Sequence, residues 1–128
     1  MSTKDMLRIM VVDDMSTSRG LITQALDAMG VRNVSTAGDG KAALSDLANA
    51  PVHLVISDYN MPGMDGLHLL QHLRHSPATQ KTGFLLITGK PDPQVIDAGK
   101  KLGMNNYLAK PFETKDLKTA IEAIVGPL

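Results

Sequence analysis

Asp13-Asp14, Asp58, Thr88 and Lys110 are side chains whose types and positions suit one piece of chemistry. Each follows a short apolar run: Ile9-Met10-Val11-Val12, Leu54-Val55-Ile56-Ser57, Phe84-Leu85-Leu86-Ile87 and Tyr107-Leu108-Ala109 respectively. Brought together, they would form a cleft of three carboxylates, a hydroxyl and an ammonium. Two unit charges ~4 Å apart repel by about 4 kcal/mol at an effective dielectric of ~20, so such a cluster needs a proton or a bound cation. An all-oxygen site with room for water suits Mg²⁺, which takes one or two carboxylates and keeps several waters. Lys110 adds a point charge for a phosphate or an aspartate, and Thr88 a hydrogen bond for a phosphoryl oxygen. The chemistry such a set supports is phosphoryl transfer onto a carboxylate nucleophile, its charge neutralised by the cation and the lysine. Asp58 is the natural nucleophile, while the adjacent pair Asp13-Asp14 is better disposed to hold metal. A single strand-end Asp is more readily explained as a helix cap. Five such positions together are not.

The elements that must position these groups are legible in the apolar pattern. The four runs above, with a weaker one over Val34–Ala37, read as strands. Between them lie segments of helical period: Ile22, Ala25, Leu26 and Met29, stopped by Gly30; Ala43, Leu44, Leu47 and Ala48; Leu67, Leu69, Leu70 and Leu73; a short helix over Val95–Leu102; and Leu117, Ile121, Ile124 and Val125. Strict β–α alternation predicts an α/β fold, a doubly wound five-stranded parallel sheet with helices on both faces. Ligands of such sheets sit beyond the carboxyl ends of the strands, where the five positions fall.

Composition narrows the field. The 128 residues hold 13 basic and 13 acidic side chains and no cysteine, which predicts a single domain spanning 1–128 with a core large enough to need no disulfide. The balanced charge argues against nucleic acid or an anionic membrane as partner. Two Tyr and two Phe are too few for a base-stacking platform. Met1 to Asp5 lacks the apolar core of a signal peptide, so a cytoplasmic location is expected. Eleven of the acids are Asp and only two are Glu. Asp favours caps, turns and strand ends, and Asp39, Asp65 and Asp92 read as such.

The runs Val11-Val12-Asp13-Asp14-Met15-Ser16-Thr17-Ser18-Arg19, Ile56-Ser57-Asp58-Tyr59-Asn60-Met61-Pro62-Gly63-Met64-Asp65-Gly66, Thr88-Gly89 and Lys110-Pro111-Phe112 resemble the response-regulator receiver family, over essentially the whole chain. Its single-domain chemotaxis members are the most similar. The resemblance implies a flavodoxin-like fold with strand order 2-1-3-4-5, an order that the family supplies and the apolar pattern alone leaves open. It implies that Asp58 accepts phosphate from a histidine kinase. Asp14, Asp58 and the backbone carbonyl of Asn60 would ligate Mg²⁺, with Asp13 acting largely through a metal-bound water. Lys110 would contact the phosphoryl group, Thr88 and Tyr107 would form the switch pair, and Pro111 would follow a cis peptide bond.

The family also implies a monomeric two-component signalling switch, not an enzyme beyond its own phosphorylation and dephosphorylation. A chemotaxis-type kinase would load it, a phosphatase would reset it, and the flagellar motor switch would be its target. With no output domain expected, its output would be non-covalent. A phosphate sink that drains a kinase without touching the motor is the alternative role. An esterase working through an aspartyl phosphate would want an acid two residues after the nucleophile, where Asn60 stands. A flavin module would want a hydroxyl-rich phosphate loop where Asp13-Asp14 would repel the ligand, and no P-loop motif is present.

Some positions depart from the family pattern. Gly89 replaces a common alanine, Lys90 stands where chemotaxis members often carry an acid, and Pro91 and Pro93 stiffen the segment behind Thr88. Met104 replaces an alanine, read as a packing change. His68, His72 and His75 share a helix side, read as a solvated face rather than a zinc site. His53 has no evident partner. Met10, Met15, Met29, Met61 and Met64 read as core and loop packing.

Overall fold

The computed structural model describes residues 3–128. The strands are β1 (Arg8–Val12), β2 (Asn33–Ala37), β3 (Leu54–Asp58), β4 (Gly83–Thr88) and β5 (Asn106–Ala109). They form one parallel sheet in the order β2-β1-β3-β4-β5. The helices are α1 (Thr3–Met6), α2 (Ser16–Ala28), α3 (Gly40–Asn49), α4 (Gly66–His75), α5 (Pro93–Lys101) and α6 (Thr114–Val125).

Side chains alternate across a strand, so the continuous apolar runs feed two cores. Ile9, Val11, Ile56, Leu85 and Ile87 pack with Ile22 and Leu26 of α2 and Leu117 and Ile121 of α6. Met10, Val12, Val55, Phe84 and Leu86 face the other way, onto Leu47 of α3 and Leu69, Leu70 and Leu73 of α4. Strands β3 and β4 are buried at every residue, whereas β2 and β5, at the edges, are largely exposed or half-buried.

Local chemistry sets the helix ends. Asp39, Asp65 and Asp92 each precede a helix and accept a backbone N–H, from Ala42 at 2.7 Å, His68 at 2.9 Å and Gln94 at 2.8 Å. These are the caps the Asp-rich composition foretold. Gly30 ends α2 in the left-handed region at φ 88°. Gly66 opens α4 hard against β3: a Cβ there would lie 2.7 Å from the Asp58 carbonyl oxygen and 2.8 Å from Leu86 Cδ1.

Some expectations are revised, one element is added, and the packing reading of Met104 holds. The single turn α1 buries none of its residues and so leaves no apolar signature. Helix α5 starts at Pro93, because Pro suits a first helical position and Asp92 caps it. Ala48 is exposed, on the solvent edge of α3. Met15 is 61% exposed in the loop after the acid pair, not packed. His53 does have a partner, since its Nδ1 accepts the Arg8 N–H at 2.9 Å. Met104 is buried with its sulfur over Gly99, the one buried residue of α5; a Cβ on Gly99 would lie 2.8 Å from that sulfur.

Candidate functional site

The sheet register brings the predicted residues to one edge. Val12 pairs with Ser57, Asp58 with Ile87, and Thr88 with Ala109. Asp13 therefore emerges beside Asp58, and Lys110 beside the end of β4. Asp13 is fully buried, Asp58 is 7% exposed, and Asp14 faces solvent. One carboxylate oxygen from each of the three lies within 4.8 Å of the others.

Lys110 bridges this cluster. Its Nζ stands 3.0 Å from Asp58 Oδ1 and 3.9 Å from Asp13 Oδ2, and it donates to Ser18 Oγ at 3.2 Å. Asp13 Oδ1 accepts the Met15 N–H at 3.0 Å, and Arg19 Nη1 donates to the Asp13 carbonyl at 2.7 Å. Asp13 Oδ2 is buried with no hydrogen-bond partner among the described residues. A buried carboxylate oxygen left that way is costly, and a divalent cation is the group that satisfies it without a donor. The donor set, all oxygen and partly open to solvent through Asp14, fits Mg²⁺. Burial raises the Asp58 pKa above the ordinary carboxylate value; the Lys110 hydrogen bond and charge oppose this, and Asp13 and Asp14 add to it.

The remaining predicted residues surround this centre. Asn60 is exposed in the loop two residues beyond Asp58. Thr88 is buried, and its hydroxyl donates to the Lys90 carbonyl at 3.0 Å and accepts the Lys90 N–H at 3.2 Å. Tyr107 is 37% exposed on β5, and the Lys110-Pro111 peptide is cis. A groove of about 560 Å³ runs from Ser18 and Lys110 between Leu21 and Ala25 of α2 and Pro111 and Phe112.

Spacing along the chain misses Ser18 and Arg19. The one signal available was their place in the first turn of the helix that follows the acid pair. His68, His72 and His75 are exposed on α4, and among the described residues only the Asp13, Asp14 and Asp58 group has metal-ligand proximity. No helix among the described residues is long and apolar enough to cross a membrane.

A doubly wound parallel sheet with an acidic cleft and a lysine at its carboxyl edge defines a class, and sequence comparison agrees with it. A model described as the response regulator receiver domain matches residues 9–122, and the chain belongs to that family. A probable chemotaxis protein CheY of Rhizobium etli is 42% identical over 128 residues, covering 100% of this chain and 99% of its own. The structure of chemotaxis protein CheY4 of Vibrio cholerae superposes with a TM-score of 0.87 at 30% identity, over 92% of this chain and 98% of that one. The receiver domain of sensor histidine kinase PA1611 from Pseudomonas aeruginosa, with a magnesium ion coordinated in its active-site cleft, has a TM-score of 0.84 at 23% identity. It covers 94% of this chain and 98% of that one, a likeness of fold. The chain is thus a receiver domain of the two-component response regulators, with chemotaxis proteins among its relatives.

Proposed function

We propose that Asp58 accepts a phosphoryl group from a histidine kinase, and that the phosphorylated form binds a protein target in chemotaxis. The observation that carries this reading is the buried, unpartnered Asp13 Oδ2 beside an Asp58 already held by Lys110. Asp13, Asp14, Asp58 and the Asn60 backbone carbonyl would hold Mg²⁺, which when bound neutralises charge on the transferring phosphoryl oxygens. A carboxylate oxygen of Asp58 bonds to phosphorus as the P–N bond to the kinase imidazole breaks, its electron pair returning to that nitrogen. Lys110 swings from the carboxylate to a phosphoryl oxygen, keeping the ammonium paired throughout.

Switching follows from what Thr88 must give up. Its hydroxyl donates to the Lys90 carbonyl and accepts the Lys90 N–H, so giving its one proton to a phosphoryl oxygen releases the Lys90 carbonyl. The segment through Pro91 and Pro93 into α5 is thereby coupled to the acyl phosphate, and Tyr107 gains room to turn inward. This shifts a two-state equilibrium at the surface of α5, β5 and α6. By resemblance to chemotaxis relatives the target is the flagellar motor switch.

Acetyl phosphate with Mg²⁺ should label Asp58 stoichiometrically, and Asp58→Asn should abolish labelling. Persistent labelling of that variant at another residue sinks the assignment. Binding to a motor-switch peptide that strengthens with a phosphoryl mimic supports the motor target; kinase drainage without such binding makes the protein a phosphate sink.

A further inference from the structure

Lys110 carries charge of the same sign as the cation proposed for the cleft, and it reaches the same carboxylates. Its Nζ is already bonded to Asp58 Oδ1 at 3.0 Å, while Asp13 Oδ2 stands 3.9 Å away, beyond hydrogen-bond distance. A movement of about 1 Å would close that second bond and give the buried oxygen an ammonium in place of a metal. In its present position the ammonium is also bonded to Ser18. Its hydroxyl, half-buried in the first turn of α2, accepts from Nζ at 3.2 Å. With donors engaged by Ser18 and Asp58, the ammonium stands outside hydrogen-bond distance of Asp13 Oδ2.

We infer that Ser18 is a positioning residue for Lys110: its hydroxyl anchors the ammonium on the α2 side and leaves Asp13 Oδ2 open to a divalent cation. The inference rests on the Mg²⁺ reading above. Without Ser18, the lysine closes on the acid pair and competes with the ion for it. Threonine preserves the acceptor oxygen; alanine removes it. Because the effect acts through Lys110, it disappears when the lysine is gone.

The test is calorimetric titration of Mg²⁺ into the metal-free full chain. Ser18→Ala should weaken affinity about fivefold, the scale of one hydrogen bond. Ser18→Thr should stay within about twofold of the parent. Lys110→Met should bind Mg²⁺ more tightly than the parent, and Ser18→Ala on that background should change nothing further. The Lys110 Nζ resonance should shift in Ser18→Ala and be restored in Ser18→Thr. Unchanged affinity in Ser18→Ala, or an equal loss with and without Lys110, overturns the inference while leaving the metal reading intact. No binding to the parent protein overturns both.

Discussion

Asp58 holds its proton more firmly in the folded protein than in the unfolded chain, because burial is the largest influence on it and the neighbouring acids reinforce that influence. An acid whose pKa is raised by folding costs stability above the raised value, and the cost is relieved as pH falls through it toward the ordinary carboxylate value. Asp58→Asn should therefore stabilise the metal-free protein at neutral pH and raise its melting temperature. The gain should shrink as the pH is lowered toward the acid range. A calorimetric melt series against pH checks both the sign and the window. At this scale the sequence showed the acids, the hydroxyl and the lysine, because each follows an apolar run. It did not show Ser18 holding Lys110, since the partners lie 92 residues apart and only the closed sheet makes them neighbours.

The elements carry the site by close approach. Gly66 lets the first turn of α4 rest on the Asp58 carbonyl, and a methyl there meets backbone on one side and Leu86 on the other. Gly66→Ala should cost about 1–3 kcal/mol in denaturant unfolding, the range for overpacking, and should slow phosphorylation by acetyl phosphate because β3 must shift. Gly99→Ala meets the flexible end of Met104, at 2.8 Å from its sulfur, and touches Leu67 Cδ2 at 3.4 Å. It should cost less, and Met104→Ala should remove most of that cost in a double-mutant cycle. Element types were readable from periodicity, since strands buried on both faces are unbroken apolar runs and α4 shows a Leu stripe. The boundaries were less so. Helix α5 begins where Asp92 caps and Pro93 fits, a signal of chemistry rather than period, and Ala48 satisfied a spacing that its side of α3 does not bury.

For the molecule as a whole, the formal charge of zero conceals a cleft in which three carboxylates face one ammonium. Mg²⁺ that binds the folded state alone raises stability by about 2.7 kcal/mol at a concentration 100 times its Kd. Differential scanning calorimetry should show a higher melting temperature with Mg²⁺, reversed by chelation and largely lost in Asp14→Ala. The doubly wound architecture was legible because β–α alternation leaves few alternatives, whereas the strand order came from the family resemblance.

The burial gradient across the sheet has a mechanical meaning. Asp58, the proposed nucleophile, and Thr88, the proposed switch hydroxyl, end β3 and β4, which are buried at every residue, whereas Tyr107 lies on the half-open border strand β5 and Lys110 directly follows it. On the proposed reading, bond making rests on an unyielding anvil and the message leaves by an edge strand. Amide exchange should be slowest in β1, β3 and β4 and fastest in the edge strands β2 and β5, and of these two only β5 borders Thr88.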